Sequence, residues 1–127
     1  MFRAKQVGGR GEVNGWIYTI NDTWYLLPKN GLIAHIVIPS TISMKTYQRD
    51  KDGNDIYGSF ELDGKMTKAN NRVRLLYFTD SGSSMEGNVI FEIGQWMVKF
   101  DDGTGTPLHY IISKHIEIIG RQYDEEA

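Results

Sequence analysis

Alternation of period two, cut every few residues by glycine, asparagine or aspartate, constrains this chain more than any other feature. In Glu12–Ile20, EVNGWIYTI, the side chains of Trp16, Tyr18 and Ile20 fall on one side of an extended strand, and Ile17 and Thr19 on the other. Asn21-Asp22-Thr23 turns the chain into WYLLP, and Pro28-Lys29-Asn30-Gly31 is a second turn. Residues 32–38, LIAHIVI, are apolar on both faces and predict a strand buried on each side. RVRLLYFTD (72–80) predicts another, with Val73, Leu75 and Tyr77 facing one way and Arg72, Arg74, Leu76 and Phe78 the other. NVIFEIG and QWMVKF follow with Gly94 between them, and LHYIISKHIEIIGRQY closes the chain as one or two strands with a helical turn around residues 108–115.

Helical periodicity is weak throughout. The polar stretches 40–47 and 64–71 leave room for a short helix or a long loop. The expected fold class is therefore mainly β, as one domain with at most a short helix. It divides into an N-terminal hairpin sheet (1–48) and a C-terminal SH3-like or barrel-like sheet (49–127). A chain of 127 residues that is 40% hydrophobic can bury a core without covalent staples. Ile56, Tyr57, Trp96, Val98, Ile118 and Tyr123 are the core candidates, and Gly53 and Gly120 are expected to serve backbone geometry.

Several functions are excluded or disfavoured at this level. With no cysteine, disulfides, thiolate metal ligands and a thiol nucleophile are impossible. A net charge of −2 gives no overall attraction to nucleic acid or an anionic membrane. The start, MFRAKQVGGRGEV, has no apolar secretory core. The longest apolar stretch, GLIAHIVIP, is too short to span a bilayer and is broken by His35. A cytoplasmic protein without membrane contact is the expectation.

The stretch DKDGNDIYGSFE (50–61) has the look of a calcium loop, with Asp50, Asp52 and Asn54 at alternate positions and Glu61 closing the span. Such a loop needs glycine at its sixth position. Here Asp55 stands there, Gly53 is at the fourth, and the flanks lack two amphipathic helices. A β-turn at Asp52-Gly53-Asn54 is the better reading. His35 sits in an apolar run and reads as a packed residue. His109 and His115, six apart, would be roughly 20 Å from each other on one strand, too far to share a metal. No G-x-S-x-G elbow occurs, SGSS (81–84) reads as a loop, and the neighbours Asp101 and Asp102 would face opposite ways. The glycine-rich segment 7–15 lacks the G-K-S/T ending of a phosphate loop. No catalytic residue, metal ligand or cofactor site is expected. One segment, KMTKANNRVR, suggests nucleic acid: Lys68, Arg72 and Arg74 as phosphate contacts, with Phe78 as a stacking ring on the same strand face.

VIPSTISMKTYQRDKDGNDIYGS resembles the central signature of the YopX family, small proteins encoded largely by bacteriophages and prophages. In that family a P-x-T-V/I element precedes Q-Y/F-T-G-x-x-D-x-N-G-K-x-I-Y-E-G-D. Pro39, Thr41 and Ile42 match the first part; Asp50, Asp52-Gly53, Ile56-Tyr57 and Gly58 echo the second. FRAK (2–5) looks like the family's start, NGWIY with WYLLP like its first hairpin, and IEIIGRQYDE (116–125) like its closing strand. The likeness departs at Tyr57-Gly58-Ser59, where the family's glutamate is missing and its aspartate replaced, and at Gly120-Arg121-Gln122-Tyr123 in place of G-N-I-Y. The resemblance implies a β-rich fold, a phage or prophage setting and self-association, and brings no activity or catalytic residue. The leading functional expectation is a non-enzymatic accessory protein acting through protein–protein contact, as a homo-oligomer or with a phage or host protein. The alternatives are a nucleic-acid-binding module using Lys68, Arg72 and Arg74, and an enzyme in which His35, His109 or a carboxylate occupies a concave pocket.

Overall fold

A computed structural model describes residues 1–9 and 11–122. The protein is mainly β, built from two antiparallel sheets and a small hairpin, and no helix among the described residues reaches seven residues. The strands are β1 (Phe2–Lys5), β2 (Glu12–Ile20), β3 (Thr23–Pro28), β4 (His35–Ile36), β5 (Ser43–Arg49), β6 (Asp55–Gly58), β7 (Glu61–Leu62), β8 (Lys65–Met66), β9 (Asn71–Leu75), β10 (Met85–Glu92), β11 (Gln95–Phe100), β12 (Gly105–Pro107) and β13 (Ile116–Arg121). The first sheet runs β4-β3-β2-β1-β5-β6, the second β12-β11-β10-β9-β13, and β7 pairs only with β8. The second sheet stays open, so no barrel closes. Among the described residues, three 3-10 turns, Pro39–Thr41, Leu108–Tyr110 and Ser113–His115, supply the helical character of the connections.

Turn chemistry sets the hairpins. Two-residue loops at Asn21-Asp22, Asp63-Gly64 and Ile93-Gly94 all have positive φ at both positions, the mirror-image turn whose twist matches that of paired strands. Asn, Asp and Gly suit that conformation; Ile93 does not.

Each sheet buries one face. Ala4, Leu26, Val37, Ile42 and Phe60 form the first core, with Trp24, Leu62 and Met44 packed against it. Val73, Leu75, Val89, Val98, Phe100, Leu108 and Ile116 form the second. Strand β6 joins the two: it pairs with β5, yet Ile56 is buried in the second core and Ser59, just beyond, makes a parallel bridge to Ile90. The first sheet thus extends to Gly58 by pairing. Of the expected core residues, Ile56, Tyr57 and Val98 are buried, and Trp96 and Ile118 are partly buried against the second core. Tyr123 lies outside the described residues.

Three strand readings change. LIAHIVI is a strand only at His35–Ile36, and Leu32 and Ile33 project into solvent because the chain there is a loop returning from β3. The strand expected over 72–80 covers Asn71–Leu75; positive φ at Tyr77 ends the extended run, and Phe78 packs on Phe100 with ring centroids 5.5 Å apart. The polar stretch 40–47 holds a 3-10 turn followed by β5, which bulges at Tyr47, also at positive φ.

Candidate functional site

The side chains singled out in the sequence fall on three surfaces. The first is a polar cleft of about 490 Å³ where the sheets meet, lined by Arg3, Asn14, Asp50, Asp52, Asn54, Asp55, Tyr57, Asn71, Ile118, Gly120 and Arg121. Arg3 is only 7% exposed; its guanidinium lies 4.1 Å from the centroid of the Tyr57 ring, and its Nε donates to Ser43 Oγ at 3.2 Å. The Tyr57 backbone N–H donates to Asn71 Oδ1 at 2.7 Å. Burial pushes the Tyr57 hydroxyl above its ordinary pKa, against the opposing pull of Lys45 and Arg3. Arg121 pairs with Glu12 across the mouth. The segments carrying the family resemblance, 2–5, 50–58 and 116–121, all contribute to this lining.

Within the cleft, the stretch with the calcium-loop look is a turn. Asp50 is buried, and its Oδ1 accepts the backbone N–H groups of Asp52 (3.0 Å) and Asn54 (2.9 Å). Its Oδ2 accepts from the Ile118 N–H at 3.3 Å, and the Lys51 N–H donates to Ile116 O at 2.8 Å, which pins the turn to β13. Gly53, at φ 82°, supplies the left-handed residue such a turn requires. Gly120 marks a bulge in the pairing of β13 with β9. No group of three His, Asp or Glu residues among those described is placed to hold a metal ion.

The second surface is the outer face of β9. Arg72 pairs with Asp101 (3.2 Å), and Arg74 with Glu86 (3.2 Å) and Glu117 (2.7 Å). Lys51 adds to the row by bonding Glu117 at 2.9 Å. That bond holds the Glu117 carboxyl below its usual range and raises the Lys51 ammonium. Lys68 is elsewhere, on the rim of a groove, with its backbone N–H donating to Ser40 O. Phe78 has turned into the second core. The structure therefore sets Arg72 and Arg74 among carboxylates and separates them from Lys68 and from a stacking ring.

The third surface is apolar, and sequence reasoning assigned it no role. Cross-strand registers place Trp16 opposite Leu27, Tyr18 opposite Tyr25, and Tyr25 opposite Ile36, so these side chains and Ile20 share the outer face of β2, β3 and β4. Tyr18 and Tyr25 stack at 5.2 Å, and Trp16, Tyr18, Ile20, Leu27 and Ile36 are exposed. Around the tip of the β2–β3 hairpin a groove of about 600 Å³ opens between the Pro39–Thr41 turn and the β7–β8 hairpin. Trp24, Pro39, Leu62 and Met66 give it apolar walls, and Asp22, Asp63, Lys65 and Lys68 are its charged residues. The alternation in EVNGWIYTI already carried the signal for the open face: a strand apolar on both sides has a second side to cover.

His35, His109 and His115 line neither the cleft nor the groove. His109 stands edge-on to Tyr110 and His115 to Tyr77. Asp101 serves Arg72, while hydrogen bonds from the Thr104 hydroxyl and backbone N–H hold the Asp102 carboxyl low. Thr79, Ser81 and Ser83 bond one another within their own loop. No helix among the described residues is long and apolar enough to cross a membrane. No family model, curated protein or solved structure matches the chain.

Proposed function

We propose that this protein acts without catalysing a reaction, as a phage- or prophage-type accessory protein of the bacterial cytoplasm that works by contact with other protein chains, a second copy of itself first among them. The observation that carries this reading is the open apolar face of the first sheet, from Trp16 to Ile36. A contiguous apolar face of this kind is the usual mark of an interaction surface. It bears no charged side chain between Trp16 and Ile20, so two copies meet there without like-charge repulsion. The likeness to the YopX family supplies the phage setting.

The test is size-exclusion chromatography with light scattering over a concentration series, on protein purified without nuclease. A discrete multimer free of nucleic-acid absorbance is expected. A single-chain species carrying nucleic acid that high salt removes would reject self-association and point instead to Lys68, Arg72 and Arg74. A clean single-chain species at every concentration would also reject it.

A further inference from the structure

We infer that the polar cleft between the sheets binds a neutral sugar of monosaccharide size, held by the Tyr57 hydroxyl and the Asn71 side-chain amide. The site does not rest on self-association, since a single chain carries all of it. Tyr57 is 7% exposed and Asn71 3%, and both line the cleft. Asn71 Oδ1 accepts the Tyr57 N–H, which fixes the way the amide faces and leaves Nδ2 as the uncommitted atom. Among the described residues neither Nδ2 nor the Tyr57 hydroxyl has a hydrogen-bond partner. Polar groups on side chains this buried almost always find one. The cleft is where these two can meet it.

One water occupies about 30 Å³. The cleft, at about 490 Å³, has the size of a ligand site. The Tyr57 ring is also held in place, with the Arg3 guanidinium 4.1 Å from its centroid and Arg3 itself bonded to Ser43. A hydroxyl fixed in advance binds at less entropic cost than one that must be ordered. Burial raises its pKa, so it stays an O–H donor at neutral pH.

Hydrogen bonding, not charge, selects the ligand. Arg121 is paired with Glu12, Asp55 with Lys45 and Arg49, and both oxygens of Asp50 accept backbone N–H groups. Counting Arg3 and Asp52 as well, the charges of the described residues around the cleft cancel, which favours neither an anion nor a cation. Ile118 is the only aliphatic side chain among the described lining residues, so an apolar ligand gains little. The rim instead offers bonds of both senses. Asn14 and Asn54 carry amides that give and take, and Asp52 a carboxylate that only accepts. All three are exposed, and their side chains make no hydrogen bond to another described residue. Two buried donors below such a rim suit a ligand whose groups both donate and accept, and neighbouring hydroxyls on a sugar ring have that chemistry.

The test is an amide NMR titration of the isotope-labelled chain with glucose, galactose, mannose and N-acetylglucosamine, with inorganic phosphate and glycine as charged controls. At least one sugar is expected to give saturable shifts at the Tyr57 N–H and at the side-chain amides of Asn71 and Asn14. Tyr57→Phe keeps the ring beneath Arg3 and removes the hydroxyl alone. It is expected to weaken that binding about tenfold or more without lowering the melting midpoint, because no described residue loses a bond to the hydroxyl. An unchanged spectrum away from the cleft shows that the variant is folded. If no sugar saturates, or the shifts lie outside the cleft, the inference is overturned. Saturation by phosphate or glycine and by no sugar overturns it in favour of a charged ligand. Sugar binding that Tyr57→Phe leaves unchanged overturns it as well.

Discussion

At Gly58 there is room for a hydrogen atom and nothing larger. A β-carbon built there would lie 2.2 Å from Cζ3 of Trp96, inside a ring that the second core and Phe91 hold in place. Gly58→Ala must therefore push the indole or bend β6, and should cost roughly 1–3 kcal/mol, read as a lower urea midpoint with unchanged slope. Ile93 is the opposite case. It occupies the first position of a mirror-image turn at φ 52° while 90% exposed, so it carries backbone strain with little contact in return. Ile93→Asn is expected to stabilise the isolated chain by about 0.5–1 kcal/mol, a rise of roughly 2–4 °C in the melting midpoint. A lower midpoint would show that Ile93 makes a contact the isolated chain needs.

Elements carry their own balance of forces. The turn between β5 and β6 is fastened to β13 three times, through Asp50, through the Lys51 backbone N–H and through the Lys51–Glu117 ion pair. Glu117 has its carboxyl pKa depressed by Lys51, so the pair's contribution is full above the ordinary carboxylate value of 4.5 and is lost as pH falls through the lower folded value. Lys51 is raised, so its share is full below 10.5 and is lost as pH climbs through the folded value. Glu117→Gln should flatten the stability profile below pH 4.5 and leave the fold intact, measured by denaturant titration across pH. An unchanged acid limb would show that the exposed pair contributes nothing measurable.

The same elements show what the sequence made legible. The hairpins turning at Asn21-Asp22 and at Gly94 could be read directly, because those residues accept positive φ. So could the turn at Asp52-Gly53-Asn54, where one carboxylate and one glycine do the local work. The hairpin at Asp63-Gly64 could not, since its strands are two residues each and the stretch 64–71 reads as a short helix or a loop. Nor could the Leu32 loop, since an apolar run looks the same whether it enters a core or projects into solvent. Strand β5, SMKTYQR, was obscured because its bulge at Tyr47 breaks the alternation. The cleft was invisible for another reason: Arg3, Asp50, Asn71 and Arg121 are brought together only by tertiary pairing.

For the whole molecule, the decisive residue is Asn70, which is fully buried between the sheets. Its Oδ1 accepts from Ser59 Oγ at 2.9 Å, and its Nδ2 donates to Asn71 O and Asn88 Oδ1 at 3.0 and 3.1 Å. Removing the amide leaves several buried groups unsatisfied at once. Asn70→Ala should lose roughly 2–4 kcal/mol and separate one cooperative unfolding transition into two, seen as unequal hydrogen exchange in the two sheets. Uniform exchange in the variant would place the coupling elsewhere. The order of pairing has a further consequence. Every strand of the first sheet lies before residue 59, whereas the Ser59 bridge needs β10 and the cleft needs β13. A ribosome therefore delivers all the strands of the first sheet before it makes any strand of the second. Arg3, on the first strand of the first sheet, is enclosed only once Ile118, Gly120 and Arg121 have been made.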